Sequence, residues 1–305
     1  MKNSSRPTKV RYSILAAIFI NVVINYMDRS NISVAAPFIL KSFSLNTVQM
    51  GYIFSAFGWT YAFLQIPGGI LTDRFGPRIL YSISLILWSL ATLLQGIAKG
   101  FAGLFGLRIA IGAFEAPAYP MNNQIVTRWF PDRERASAIA VYTSGQFIGL
   151  AFLTPVLIAL EHGLGWQGLF FCTGAIGLVW GTLWYFIYRD PLQHRRVNQA
   201  ELDHIEKGGG LVQQHEKSQT RFEWKKLGAV LSKRKLWGIY IGQFGVNSTM
   251  LFFLTWFPTY LIKYRGMNFL QSGMLSSIPF LAAFAGILVS GFLSDYLIKK
   301  GFSAG

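Results

Sequence analysis

Gly69-Ile-Leu-Thr-Asp73-Arg74-Phe-Gly76-Pro-Arg78 separates two long apolar runs, one at about 47–71 and the next at about 79–98. A helix needs roughly 20 apolar residues to cross the hydrocarbon core of a bilayer, and each run supplies them. The charged stretch between them therefore reads as a tight turn at a membrane surface. Its pattern returns as Gly291-Phe-Leu-Ser-Asp295-Tyr-Leu-Ile-Lys299-Lys-Gly301. Glycine and aspartate recur at an offset of 222 residues, and the same offset carries Asn46, Gln49 and Gly51 onto Asn268, Gln271 and Gly273. Five matches at one offset, each at the same place relative to a pair of apolar runs, predict an internal repeat of six helices.

Outward from that turn, eight apolar runs are found, at about 12–38, 47–71, 79–98, 101–126, 137–160, 166–188, 236–262 and 271–294. Over the 305 residues 52% are hydrophobic and 13% charged, where a soluble domain carries about 25% charged. The runs are too long for barrel strands, which would be about 10 residues of strict alternation. Without water to satisfy the backbone, helices are the remaining way to span. The expected fold is an all-α polytopic membrane protein. Residues 1–188 form a six-helix bundle, 189–235 a cytoplasmic linker, and 236–305 the start of a second bundle with helices seven and eight. Transporters are often built from two such halves, and four further spans would complete the second.

The net charge of +15 could signal nucleic acid, but its distribution reports topology. Of the 28 Lys and Arg, 22 fall before the first run, in the 69–78 turn, between runs four and five, in the linker and after run eight. All of these lie on one side of the membrane, so the positive-inside rule makes both ends cytoplasmic. Anionic lipid headgroups are the expected partner of that charge, and no nucleic acid is implied. The single cysteine, Cys172, permits no internal disulfide. The first 36 residues imitate a secretion signal ending at Ser33-Val-Ala35, but cleavage there would leave the second helix facing the wrong way for the loop charges.

An ionisable side chain at membrane depth costs at least about 2.5–3.5 kcal/mol and is by default functional. Asp28 and Arg29 lie in the first run, Arg108 and Glu115 in the fourth, and they sum to zero charge. The four histidines fall outside the runs, so an intramembrane proton carrier here should be a carboxylate, Asp28 or Glu115. Asn21, Asn25 and Asp28 form a polar stripe on one helix face, which must meet protein or a water-filled cavity. Arg108 and Glu115 are two turns apart on one face, and Pro117 bends the helix beside them. Gly145 and Gly149 flank Gln146 in a small-x-x-x-small pattern that allows close helix approach. Arg29, with its planar fork, is suited to gripping a carboxylate. Asp73, Arg74 and Arg78, echoed by Asp295, read as a cytoplasmic gate, with Asp73 placed to cap a helix end. Pro131–Arg135 reads as a solvated loop, and Trp129 and Trp166 as interface anchors.

The turn at 69–78 and its echo resemble the loop signature of the major facilitator superfamily. More narrowly, NYMDRSNISVA (25–35), MGYIFSAFGWTYAFLQIPGG (50–69), FEAPAYPMNNQIVTRWFPDRERASA (114–138), TSGQFIGLAFLTP (143–155) and FFLTWFPTYL (252–261) resemble the anion:cation symporters, over essentially the whole chain. The resemblance implies a twelve-helix transporter, of which this chain would hold eight, in a bacterial inner membrane. It implies proton-coupled import of a sugar-acid anion such as D-galactonate by alternating access, carried out by a monomer, with protons as the coupling ion and no cofactor. It also implies that Asp28 and Glu115 couple protons, that Arg108 tunes the second, and that Tyr26, Arg29, Tyr61 and Gln146 line the substrate site.

Other readings of the residues stay open at this point. Asp28–Arg29 and Arg108–Glu115 are also readable as structural pairs, the tyrosines as packing, and Gln146 as an interhelical clasp. An exchanger of organic phosphates would need a second arginine, and the repeat offset carries Arg29 onto Leu251. A membrane enzyme would need a nucleophile–base pair or metal ligands, and the runs hold no His and one Cys; neither an enzyme nor a metal site is expected. A chain of eight helices that does not transport by itself is the remaining alternative.

Overall fold

The computed structural model describes residues 6–212, 228, 232–255, 257–267 and 269–301, and these are helical with short connections. Helix α1 spans Val10–Ser42. Helix α2, Thr47–Gln95, has 49 residues, which at about 1.5 Å per residue would more than double the thickness of a bilayer core. It is two spans divided at Gly76, whose φ of 72° lies in the left-handed region that glycine enters without steric cost. Pro77 then fixes the first turn of the second arm. The helix starts with a reciprocal cap: Gln49 N–H donates to Asn46 Oδ1 at 2.8 Å, and Asn46 N–H donates to Gln49 Oε1 at 2.9 Å. The asparagine and glutamine that recur in the repeat are therefore helix-start residues; the second asparagine, Asn268, lies outside the described residues.

Helices α3 (Gly100–Glu115) and α4 (Ala118–Trp129) form one span broken at Ala116–Pro117, the bend that Pro117 predicts. Helix α5 covers Asp132–Ala151, and α6, Leu153–Ile187, is interrupted at Gly165 with φ 71°. The fifth apolar run thus lies on α5 and the first arm of α6, and the sixth on the arm after Gly165. A short 3-10 turn (Pro191–Gln193) and α7 (Gln199–Lys207) follow, then α8 (Arg234–Thr255), α9 (Phe257–Arg265) and α10 (Phe269–Lys299). Among the described residues, Val10–Ser42, Thr47–Gln95, Gly100–Trp129, Val156–Ile187 and Ile278–Lys299 are each long and apolar enough to cross a membrane.

The chain divides into two compact units, Met1–Ser218 with Gly286–Gly305, and Gln219–Ala285. In the second, rings of α8 and α9 meet, with Phe253 and Phe257 centroids 5.1 Å apart. The first has two apolar cores. One gathers Ile14, Ile18, Tyr81, Trp88, Trp129 and Trp184 at the linker end; the other gathers Ile39, Met50, Ile53, Leu104, Trp166 and Phe170. Trp129 and Trp166 are therefore core residues and not interface anchors. Trp129 is covered by the linker, where the His194 ring meets it edge-on at 5.7 Å, and Trp166 packs edge-on against Phe43 at 5.6 Å.

The linker's beginning is built into this unit. Glu201 of α7 is fully buried and accepts the N–H groups of Val10 and Arg11 at 3.2 Å each, together with the Thr8 hydroxyl. These are first-turn donors of α1, which have no partner within their own helix. Arg11 pairs with Glu201 at 3.2 Å and with Glu134 at 3.0 Å, and His204 lies 3.1 Å from Glu134. Asp132 N–H donates to Gly208 O at 2.8 Å. Residues 132–135 are accordingly the first turn of α5 held under the linker, where the sequence reads as a solvated loop.

Candidate functional site

Glycines set the distances from which the site is built. A Cβ on Gly112 of α3 would stand 2.5 Å from Phe57 O, with the Thr60 hydroxyl closer still, so the first arm of α2 lies directly against α3. One on Gly68 would stand 3.0 Å from Pro117 Cα. On α5, Cβ atoms at Gly145 and Gly149 would meet Phe19 O at 3.0 Å and Tyr26 Cβ at 2.7 Å on α1. The close approach expected of this small-x-x-x-small pair is made against α1.

These contacts gather side chains from α1, α2, α3 and α4. Arg29 Nε donates to Glu115 Oε1 at 2.6 Å, and a terminal nitrogen of Arg29 pairs with the same oxygen. The Glu115 side chain is fully buried and that of Arg29 is 20% exposed. The Arg29 guanidinium carbon lies 4.7 Å from the Tyr26 ring, 5.0 Å from Phe57 and 4.6 Å from Tyr61. Such cation–aromatic contacts are worth about 0.5–2 kcal/mol each, more when desolvated. The Tyr119 hydroxyl reaches Tyr26 Oη at 3.5 Å. Arg108 is buried, 4.8 Å from the same Phe57 ring, and two of its nitrogens make no hydrogen bond among the described residues.

The structural pairs left open by the sequence are thus replaced by one between helices. Glu115 pairs with Arg29, while Arg108 stands within electrostatic reach of both Glu115 and Asp28. Asp28 is buried and accepts the Trp88 indole N–H at 3.2 Å on Oδ2; its Oδ1 has no hydrogen bond among the described residues. Further along the stripe, Trp180 Nε1 donates to Asn21 Oδ1 at 2.5 Å. Tyr26 and Tyr61 are half-buried beside Arg29, and Gln146 is half-buried on α5 between its two glycines. No hydrogen bond among the described residues joins Gln146 to this group. Trp88, Phe57 and Tyr119 were not singled out from sequence. Trp88 carried a usable signal: a buried indole N–H needs an acceptor, and acceptors within the spans are few.

The residues expected at a gate separate. Asp73, exposed, accepts from Gln124 Nε2 at 3.0 Å. Arg74 lies 5.4 Å from the Phe75 ring. Arg78 turns to α6, donating to Tyr185 O at 3.2 Å. The echo residue, Asp295, is buried and accepts the Ser137 N–H in the second turn of α5 at 2.8 Å. Asp73 itself makes no helix-end contact among the described residues, and its repeat partner meets α5 one turn in from the helix start.

A helical membrane bundle that gathers charged residues from separate spans at one buried point, with a repeated Gly–Asp turn, has the architecture of a secondary transporter. The chain belongs to the Major Facilitator Superfamily, whose family model matches residues 18–303. It is 48% identical over 310 residues to the D-galactonate transporter of Escherichia coli O6:H1, covering 99% of this chain and 71% of that protein. It is 39% identical over 309 residues to the probable galactarate/D-glucarate transporter GudP of Bacillus subtilis, covering 98% of this chain and 68% of that one. Among solved structures, an inward-facing, unoccupied bacterial homologue of the human lysosomal transporter Spinster matches with a TM-score of 0.66 at 21% identity. That match covers 97% of this chain and 65% of the other, and it shows the shared fold. The relatives and the fold are those of transporters and not of enzymes. The chain is a multi-pass membrane protein with bacterial relatives.

Proposed function

We propose that the protein imports a sugar-acid anion such as D-galactonate together with protons, by alternating access across a bacterial inner membrane. One observation carries this reading: the partly exposed Arg29, flanked by three aromatic rings, is held by the fully buried Glu115. A guanidinium grips a carboxylate through parallel hydrogen bonds, and Glu115 occupies those donors. An incoming sugar-acid carboxylate competes for them. Once it wins, Glu115 is a buried carboxylate without its partner, a state that costs about 3–5 kcal/mol, and binding a proton removes that charge. Substrate and proton thereby enter one site for one electrostatic reason.

In this reading Asp28 is the second proton-binding residue, Arg108 tunes both acids, and Tyr26, Tyr61 and Gln146 line the substrate side. A cytoplasmic gate of Asp73, Arg74, Arg78 and Asp295 is supported at one point, the contact of Asp295 with Ser137; in this structure Arg78 is turned to α6. In this reading both ends are cytoplasmic, the side that the distribution of basic residues favours, and the protein works as a monomer. Relatives named as transporters of galactonate and of galactarate/glucarate support the substrate class. One proton per monoanion would be electroneutral; a second would add about 2.3 kcal/mol per 100 mV of membrane potential. Vesicles carrying the protein, in weakly buffered medium, should alkalinise that medium when galactonate is added, and Asp28→Asn should abolish the signal. Unchanged alkalinisation by Asp28→Asn would sink the proton-site assignment, and galactonate uptake without any pH change would sink the coupling.

A further inference from the structure

We propose that Arg78 and Arg189 form a binding site for the phosphodiester headgroup of an anionic lipid, in the leaflet on the linker side. Both converge on one carbonyl: Arg78 Nε donates to Tyr185 O at 3.2 Å, and Arg189 Nη1 donates to the same oxygen at 2.6 Å and to Tyr188 O at 2.7 Å. Tyr185 O is a last-turn carbonyl of α6, which lacks a partner within the helix and belongs to its negative end, and Tyr188 is the residue just past that end. These carbonyls anchor both side chains without neutralising either. Arg78 also lies 4.3 Å from the Tyr185 ring.

Two like charges thus stand together, and neither forms an ion pair among the described residues. The nearest acid in sequence, Asp190, is held by Arg128 at 2.9 Å and by the Tyr188 hydroxyl at 3.0 Å. Like charges are brought together at a cost unless an anion joins them, and guanidinium forks match phosphate oxygens. The surface beside them is apolar and exposed: Ile79, Ile83, Leu183 and Phe186 on α2 and α6. The second arm of α2 and the end of α6 are fastened together beneath this surface, by Ser82 donating to Gly181 O at 2.7 Å and Trp184 donating to Pro77 O at 3.2 Å. A basic pair above an exposed apolar surface, at the end of two spanning helices, fits a phosphate attached to acyl chains. A free phosphate would leave the apolar half of the surface unused.

The test is lipid retention by the intact chain. Protein from nanodiscs of equal phosphatidylglycerol and phosphatidylcholine is released into detergent and weighed intact. Phosphatidylglycerol adducts should outlast phosphatidylcholine. Arg78→Gln with Arg189→Gln should lower their retention about thirtyfold, each cation near an anionic surface contributing about fivefold. Arg133→Gln with Lys207→Gln removes the same charge from exposed positions on the same side and should leave retention unchanged. Lysine at positions 78 and 189 keeps the charge and should preserve most of it; a loss as complete as with glutamine would make the effect structural and overturn the proposal. Equal loss in the Arg133/Lys207 pair would mean diffuse attraction and overturn it as well. So would equal retention of the two lipids, and displacement of the adduct by millimolar inorganic phosphate would replace the lipid with a free anion.

Discussion

Gly112→Ala tests whether close approach of α2 and α3 builds the site. The added Cβ would stand 2.5 Å from Phe57 O, nearer to the Thr60 hydroxyl and 3.2 Å from Tyr61 N. Ordinary carbon–oxygen contact begins near 3.4 Å, so the helices must part by about 0.9 Å, or Thr60 must turn and the backbone carbonyl shift. Overpacking of this kind costs about 1–3 kcal/mol. For a unit of roughly 200 residues each kcal/mol lowers the melting midpoint by about 2–4 °C, which gives a fall of about 2–12 °C. The displacement also carries Phe57 and Tyr61 away from Arg29, and misplacement by about 1 Å can cost two orders of magnitude in a positioned reaction. Galactonate uptake by vesicles should fall at least tenfold while the protein still inserts. Gly106→Ala, on the same helix with nothing within 4 Å of its Cβ, should change neither. If the two variants melt together and transport alike, the helix contact does not set the site.

Three further outcomes follow from other contacts. Glu201→Gln should loosen the start of α1: a charged acceptor for two first-turn N–H groups is worth about 2–3 kcal/mol, so hydrogen exchange at Val10 and Arg11 should quicken about thirtyfold or more, and unchanged exchange refutes the clasp. Trp88→Phe keeps the ring and removes the N–H given to Asp28, and should slow galactonate-driven alkalinisation about tenfold with insertion intact; an unaltered rate reduces Trp88 to packing. Burial against Trp129, and then Arg196, hold His194 below its ordinary value of 6.5. Its neutral form therefore belongs to the folded state, and the stability it lends is full above about 6.5 and lost as pH falls. The melting midpoint should drop from about pH 7.5 to about 5.5, and His194→Phe should flatten that drop; an equal drop in the variant assigns it elsewhere.

Spans and breaks were legible because membrane length and backbone sterics act locally: the apolar runs set the helices, and Gly76 and Pro117 divide them as their covalent chemistry requires. The four intramembrane charges were legible for the same reason, since their cost is paid residue by residue. Their pairing was not. Periodicity placed Arg108 and Glu115 on one face of one helix, but Glu115 pairs across to Arg29, because the distance between helices depends on glycines far apart in the chain. Glu201 was hidden by its setting in a charged linker, where a carboxylate reads as solvated; only the fold shows it beneath the first turn of α1.

The division of labour inside the first unit bears on what coupling requires. Both carboxylates and both guanidiniums of the site lie on α1 and α3, while α2 contributes neutral rings and an indole N–H, and α5 contributes glycines that let α1 approach. On the proposed coupling, a proton taken up when an anion displaces Glu115 from Arg29 would be a property of two helices and the ring between their arginines. All four charges named belong to the first half of the repeat, and Leu251 stands at the position matching Arg29. Anion-dependent proton uptake should therefore be detectable with Arg29 and Glu115 intact, and Arg29→Gln, which frees Glu115 permanently, should remove its dependence on the anion while leaving proton binding itself.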